Sequence, residues 1–356
     1  MTKQSKTTRL HFIDAIRAWA ILMMLQGHFV DALLSDTYRD KKNLFFAIWS
    51  YLRGITAPVF FTISGFIFTF LLIKNFDEGW YNSRVKKGLI RGIQLIGIGY
   101  ILQIRFARLF KGTINDSFDI VHVLQCLGLS IILIVILYLI SFKFKRHLFL
   151  VFLCSTTIAL FLFKPQYEVW NYSFMPEFLS NYFTKTNGSV FTIVPWFGFT
   201  SFGGFLAIIF DKYNTKPNFY RNAIISMIFG GSILVSNSYE IIRDIKNLTG
   251  IKAFENALPS SYLFARLGVV LLVFSAFIFF RSYLKSNLIL RIGQLTLPIY
   301  IIHAIFLYNS ITGYGLSRFY YHSLSIIPTI IGAICFVVLI CVVVLNLSKS
   351  KPFFKP

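Results

Sequence analysis

The sequence predicts an all-α, polytopic transmembrane helical bundle of about ten helices. Three observations carry that expectation. Charged residues make up 14 % of the 356 positions, against roughly 25 % in a soluble domain. Hydrophobic residues make up 56 %, and phenylalanine alone occurs 41 times. Apolar runs of roughly 18 residues or more, enough to cross a hydrocarbon core, recur along the chain.

The runs fall near residues 12–34, 44–73, 88–104, 120–141, 148–164, 190–210, 222–239, 259–280, 288–310 and 324–347. Inside a bilayer each must satisfy its own backbone, which makes them helices. A β-barrel would alternate apolar and polar residues, and these runs are continuously apolar. The second run contains Pro58 and Gly65, tolerated in a span where neighbours satisfy the freed backbone. The longest polar connections are 164–189 and 240–258. The first, with Trp170, Tyr172, Pro176 and Tyr182, reads either as an interfacial cap or as an aromatic belt. No repeat or long hydrophilic insert divides the chain, so 1–356 reads as a single integral membrane domain.

The net charge of +21 raises nucleic acid as a partner, but its placement excludes that reading. With ten spans, one side of the membrane collects Lys3, Lys6, Arg9, Lys74, Arg84, Lys86, Lys87, Lys143, Lys145, Arg146, Lys212, Lys216, Arg221, Arg281, Lys285, Lys349, Lys351 and Lys355. Against them stand only Asp77, Glu78 and Asp211. That asymmetry is the positive-inside rule. It puts the N- and C-termini in the cytoplasm of a multi-pass protein, expected in the plasma membrane. The first run has no small-residue cleavage site and reads as a retained helix. Cys126, Cys154, Cys335 and Cys341 lie in apolar runs without metal-ligand spacing, so no metal site is expected.

Ionisable groups inside spans are expensive and therefore functional candidates. The first run, FIDAIRAWAILMMLQGHFVDALL, carries Asp14, Arg17, His28 and Asp31. Arg17 and His28 are eleven residues apart, about 20° beyond three full turns and about 16 Å along the axis. Asp14 precedes Arg17, and Asp31 follows His28, at a neighbour spacing of three residues. The four share one face, which must look into the protein. Histidine gives and takes protons near neutral pH, and Asp31 is placed to hold its second ring nitrogen, as a general base requires.

The same topology puts further polar groups at the depth of His28. They are Arg53 in the second span, Asp119, His122 and Gln125 at the start of the fourth, Trp196 in the sixth, Arg266 in the eighth and His303 in the ninth. Together they predict a cavity in the outer half of the membrane. Arg53 reads equally as a partner of Asp31 or as a contact to substrate, and Ser64 as helix packing. His11, His147 and His322 read as solvated.

At these residues the chain resembles the transmembrane acyltransferase superfamily. The motifs are FIDAIRAWAILMMLQGH, RGITAPVFFTISGFIFTFLL, FDIVHVLQCLGLS, VPWFGFTSFGGFLA and IGQLTLPIYIIHAIF, in that order. The closer branch is similar to the heparan-glucosaminide N-acetyltransferase-like bacterial proteins, and acyltransferase family three, with its Arg-x10-His spacing, is its neighbour. The resemblance implies an enzyme that takes an acyl group, usually acetyl, from cytosolic acyl-CoA as co-substrate, with no tightly bound cofactor. It implies transfer to a hydroxyl or amine of a glycan or lipid-linked saccharide acceptor. Carried over by position, His28 matches the catalytic residue and Arg17 the arginine linked to acyl-CoA. Some members of the glucosaminide branch use a histidine in the loop after the first span. Here that loop, SDTYRDKKN, has none.

The expected site comprises His28, Asp31 and Arg17 as catalytic residues, with Asp14, Arg53, Asp119, His122, Gln125, Trp196, Arg266 and His303 binding acyl-CoA or acceptor. Arg91 and Arg291 are candidates for CoA phosphates. A transporter of a sugar or anionic solute is the main rival, since charged and Pro/Gly-interrupted spans also mark transporters, although no paired repeat halves are visible. A non-catalytic membrane sensor or scaffold is the third reading.

Overall fold

The computed structural model describes residues 10–114, 117–144, 146–308 and 310–350, and no strand occurs among them. Lys3, Lys6, Arg9, Lys145, Lys351 and Lys355, which contribute to the charge asymmetry, lie outside the described residues. Among the described residues, eleven α-helices of eight or more residues form the bundle. They are α1 His11–Leu33, α2 Leu44–Leu72, α3 Ser83–Ile101, α4 Val123–Ser141, α5 Arg146–Leu162, α6 Ile193–Tyr213, α7 Phe219–Thr249, α8 Tyr262–Phe279, α9 Asn287–Gln294, α10 Thr296–Leu307 and α11 Ile326–Ser350.

Six of the described helices are long and apolar enough to cross a membrane: α2, α4, α6, α7, α8 and α11. A seventh span results if α9 and α10, bent by 71° at their junction, are counted as one. The outward faces of α7 and α11 are apolar, with Ile225, Ile228 and Phe229 on one and Ile327, Ile331, Ile334 and Val338 on the other exposed. The chain is therefore a membrane protein. The expected count of ten is not reached on length and composition alone. Helices α1 and α3 carry ionisable residues, and α5 has 17 residues. One expected connection is corrected: residues 240–249 continue α7, which ends at Gly250 in the left-handed conformation, a common helix terminator.

Local chemistry sets the helix ends. The Asn43 side chain accepts from the amides of Phe45 and Phe46 and starts α2. Asn82 does the same for Arg84 at α3, while its Nδ2 donates to the carbonyls of Leu72 and Asn75 at 2.8 and 2.9 Å. A buried amide that caps one helix and ties the end of another fixes the turn between them.

Helix α1 is wedged between two apolar clusters. Ile13, Ile16 and Ala20 pack with α2, α6 and α8, and Ile21, Leu25 and Phe29 with α10 and α11. Small residues allow the closest crossings. A Cβ on Gly65 of α2 would fall 1.9 Å from the Thr200 carbonyl oxygen on α6, and one on Gly203 of α6 would fall 1.9 Å from the Thr62 carbonyl oxygen. At Gly293 of α9 the obstacle is the Asp14 carbonyl oxygen, also at 1.9 Å. These contacts place α1, α2 and the α9–α10 bend around one polar interior.

The connection 163–192 folds over the start of α4 as a cap. The Val121 amide donates to Ser189 Oγ at 3.1 Å, the amides of Val190 and Phe191 donate to the Val121 carbonyl, and the Ile193 amide donates to the Tyr182 carbonyl. Tyr172 and Tyr182 are buried within it. The segment packs as a cap through Tyr172 and Tyr182, while Trp170 remains exposed.

Candidate active site

A cavity of about 660 Å³ opens between α1, α2, the end of α3, the start of α4, α6, α8 and α10. Its wall on α1 runs from Ala20 to Asp31, about 16 Å of helix. His28, Asp31, Arg53, His122, Gln125, Trp196 and Arg266 all line it. His303 lies behind His28, and is 1 % exposed.

The decisive contact is between two imidazoles. His28 Nδ1 and His303 Nε2 are 3.0 Å apart. One ring must donate and the other accept. His303 Nδ1 makes no hydrogen bond among the described residues. For His28 Nε2 to carry a free lone pair, His28 Nδ1–H must be the donor and His303 Nε2 the acceptor. Tyr308 and Tyr300 flank the pair, with ring centroids 5.6 Å from His28 and 4.9 Å from His303 respectively.

The expected Asp31–His28 contact is corrected. Asp31 pairs with Arg53. A permanently charged guanidinium outcompetes a neutral imidazole for a carboxylate, and His28 already has His303. Gly27 lets Arg53 reach across: a Cβ there would sit 3.2 Å from Arg53 Cγ. One turn on, the end of α1 is held by Arg39, which donates to the carbonyls of Asp31 and Leu34 at 2.6 and 2.8 Å. His322, expected to be solvated, lies 3.2 Å from the Asp31 carbonyl and 3.0 Å from Asp36 Oδ1. Both satisfy carbonyls that a helix C-terminus leaves without an amide partner.

On α2, Pro58 offers no N–H to the carbonyl of Gly54, four residues earlier, and Gly54 lines the cavity. On α4, Gln125 Oε1 accepts from the His122 amide at 3.3 Å. Gln125 Nε2, Trp196 Nε1 and Thr56 Oγ1 are buried without a hydrogen-bond partner among the described residues, and all three residues line the cavity. Such unsatisfied groups cluster where a ligand or ordered water belongs. Trp196 follows a cis Val194–Pro195 peptide and packs on Phe61 and Phe191.

Three expected residues stand apart from this wall. The Asp119 main-chain carbonyl accepts from Asn181 at 3.1 Å in the cap, and its side chain does not line the cavity. Asp14 and Arg17 lie below its α1 wall, which ends at Ala20, one turn above Arg17. Arg17 Nη1 is 3.9 Å from Asp14 Oδ1, and Nη2 donates to Thr296 Oγ1 at 2.8 Å. Thr296 opens α10 just after the bend. Arg291, expected to meet phosphate, donates to Ser348 Oγ at 2.9 Å on α11, and Arg91 is exposed. Ser64 Oγ donates to the Phe60 carbonyl of its own helix at 2.7 Å.

The family model for the catalytic domain of heparan-alpha-glucosaminide N-acetyltransferase matches residues 9–239, well over half the chain. The chain belongs to this family. The heparan-alpha-glucosaminide N-acetyltransferase catalytic family is one of membrane acetyltransferases, and the match covers the first six helices and α7 as far as residue 239. It includes Arg17, His28, Asp31, Arg53, His122, Gln125 and Trp196, whereas Arg266 and His303 lie beyond it. No curated protein matches the chain.

Sequence reading missed Tyr308, Tyr300 and Arg105, which line the cavity, and Thr296, which holds Arg17. Arg105 carried a usable signal, a charge just past an apolar run. The tyrosines and the threonine carried none, since hydroxyl residues are ordinary in spans.

Proposed function

We propose that the protein is an integral membrane acyltransferase that moves an acyl group, acetyl in the first instance, from acyl-CoA to a hydroxyl or amine of a saccharide acceptor. The observation that carries this reading is the His28–His303 pair at 3.0 Å on the wall of a large cavity, in a chain of an acetyltransferase family. The ten apolar runs are read as ten crossings with both termini cytoplasmic, in the plasma membrane. Acyl-CoA then approaches from the basic side and acceptor from the opposite one.

His28 Nε2 acts as general base. It takes the proton of the acceptor hydroxyl or amine as that atom bonds to the acyl carbon. The carbon–sulfur bond breaks, and the thiolate leaves and is protonated by the imidazolium. His303 fixes the tautomer and spreads the charge that forms on His28, since its own Nε2 accepts from His28 Nδ1. Arg53, with Gln125 and Trp196, supplies N–H groups for the developing oxyanion. The donor enters past Arg17, where the Arg17–Thr296 contact between α1 and the α9–α10 bend separates the cavity from the basic face.

The test is reconstitution with acetyl-CoA and a saccharide extract, reading free thiol and acetylated product. Wild type is expected to release thiol in step with product, and His28→Ala to lose at least about 100-fold. Undiminished release from His28→Ala overturns the assignment. Flux of labelled saccharide without acyl turnover would establish the transporter reading instead.

A further inference from the structure

A second cavity, of about 540 Å³, lies between the basic ends of α6 and α8 and the start of α7. It shares no lining residue with the His28 cavity. Its wall is aromatic, with Phe12 from α1, Phe66 from α2, Phe205 and Phe210 from α6, Phe219 from α7 and Phe274 from α8. Phe210 is the hub, with ring centroids of Phe12, Phe66 and Phe219 at 5.9, 5.7 and 5.2 Å. The few polar residues of the wall are Tyr213, Lys216, Asn222 and Ser226.

The rim is of opposite character. Lys212 and Lys216 place their ammonium groups 5.2 and 4.9 Å from the ring centroid of Tyr213, a wall residue. The Arg281 guanidinium lies 4.2 Å from the Tyr220 ring and donates to the carbonyl of Ile278, another wall residue. The nearby carboxylate, Asp211, is already bridged by Lys74 and Arg146. Among the described residues, none of the three rim cations takes part in an ion pair.

We propose that this cavity is a binding site for one acyl chain of an anionic phospholipid, with the lipid phosphate on Lys212, Lys216 and Arg281. An apolar space of this size falls in the range of about 300–1,000 Å³ that encloses a small-molecule ligand. In a bilayer the available apolar filler is a lipid chain. Three cations without an ion-pair partner among the described residues select a headgroup with net negative charge over a zwitterionic one. The site bears on α1, because Phe12 stands two residues before Asp14. A chain lodged against Phe12 steadies the turn of α1 that carries Asp14 and Arg17.

The experiment is native mass spectrometry of the full-length protein, delipidated in mild detergent and offered phosphatidylglycerol or phosphatidylcholine with matched chains. Wild type is expected to retain one phosphatidylglycerol, favoured by roughly tenfold over phosphatidylcholine. Ala223→Trp, which puts an indole into the cavity, is expected to abolish retention. The exposed pair Lys212→Gln/Lys216→Gln is expected to erase the headgroup preference while keeping the unfolding temperature of wild type. Equal retention of the two lipids by wild type overturns the proposal. So does unchanged retention by a folded Ala223→Trp variant, or an unchanged preference in the double glutamine variant. Displacement of the phospholipid by a free fatty acid at equal concentration would assign the cavity to a different chain donor.

Discussion

Trp49 Nε1 of α2 donates to Gln26 Oε1 of α1 at 2.9 Å, and this bond sets the register in which Arg53 crosses Gly27 to reach Asp31. One turn beyond Trp49, the Arg53 guanidinium lies 5.8 Å from the indole. The first two helices are thus locked side by side along the wall that presents His28.

His303 is a positioning residue, since it acts on the reacting atoms through His28. His303→Ala is expected to lower kcat about tenfold to a hundredfold, with little change in acceptor KM. His303→Gln, whose amide can still accept from His28 Nδ1–H, should recover part of the loss. Steady-state kinetics of both variants checks this, and equal losses would remove the tautomer role.

Arg53→Ala leaves Asp31 without its guanidinium partner. Because the Arg53 side chain is 42 % exposed, the loss of stability is held to about 1 kcal/mol rather than the several expected of a fully buried pair. Thermal unfolding in detergent reads it. Adding Asp31→Asn is expected to restore stability without restoring transfer.

Arg17→Lys keeps a positive charge but loses the planar fork that reaches Asp14 and Thr296 together. Its apparent KM for acyl-CoA is expected to rise roughly tenfold while acceptor KM stays constant. Thr296→Val should give a smaller rise in the same direction. A change confined to acceptor KM would place Arg17 outside the donor path.

Trp196→Phe removes an N–H that has no acceptor among the described residues, so unfolding temperature should not fall. If that N–H meets the reacting carbonyl, kcat drops about tenfold. Unchanged kcat in a well-folded variant would remove Trp196 from the reaction.

Gly65→Ala is expected to destabilise by about 3 kcal/mol, because its Cβ would meet backbone oxygen of Thr200 rather than a movable side chain. Gly54→Ala, where nothing lies within 4 Å, serves as the tolerated control. Yield and unfolding temperature after purification distinguish them.

The sequence by itself determined that the chain is a helical membrane protein and that Asp14, Arg17, His28 and Asp31 share one helix face. It also indicated most of the residues that meet in the cavity. These follow from hydrophobicity and from the 3.6-residue period, both properties of one segment at a time. Only the tertiary structure decided that His28 pairs with His303 and Asp31 with Arg53, that Arg17 meets Thr296 at a 71° bend, and that the Asp119 main-chain carbonyl is held by Asn181 of the cap. Those outcomes depend on how far each helix is rotated and slid against its neighbours. That register is set by close crossings at Gly65, Gly203 and Gly293 and by bonds such as Trp49 to Gln26, none of which leaves a periodic mark in the chain.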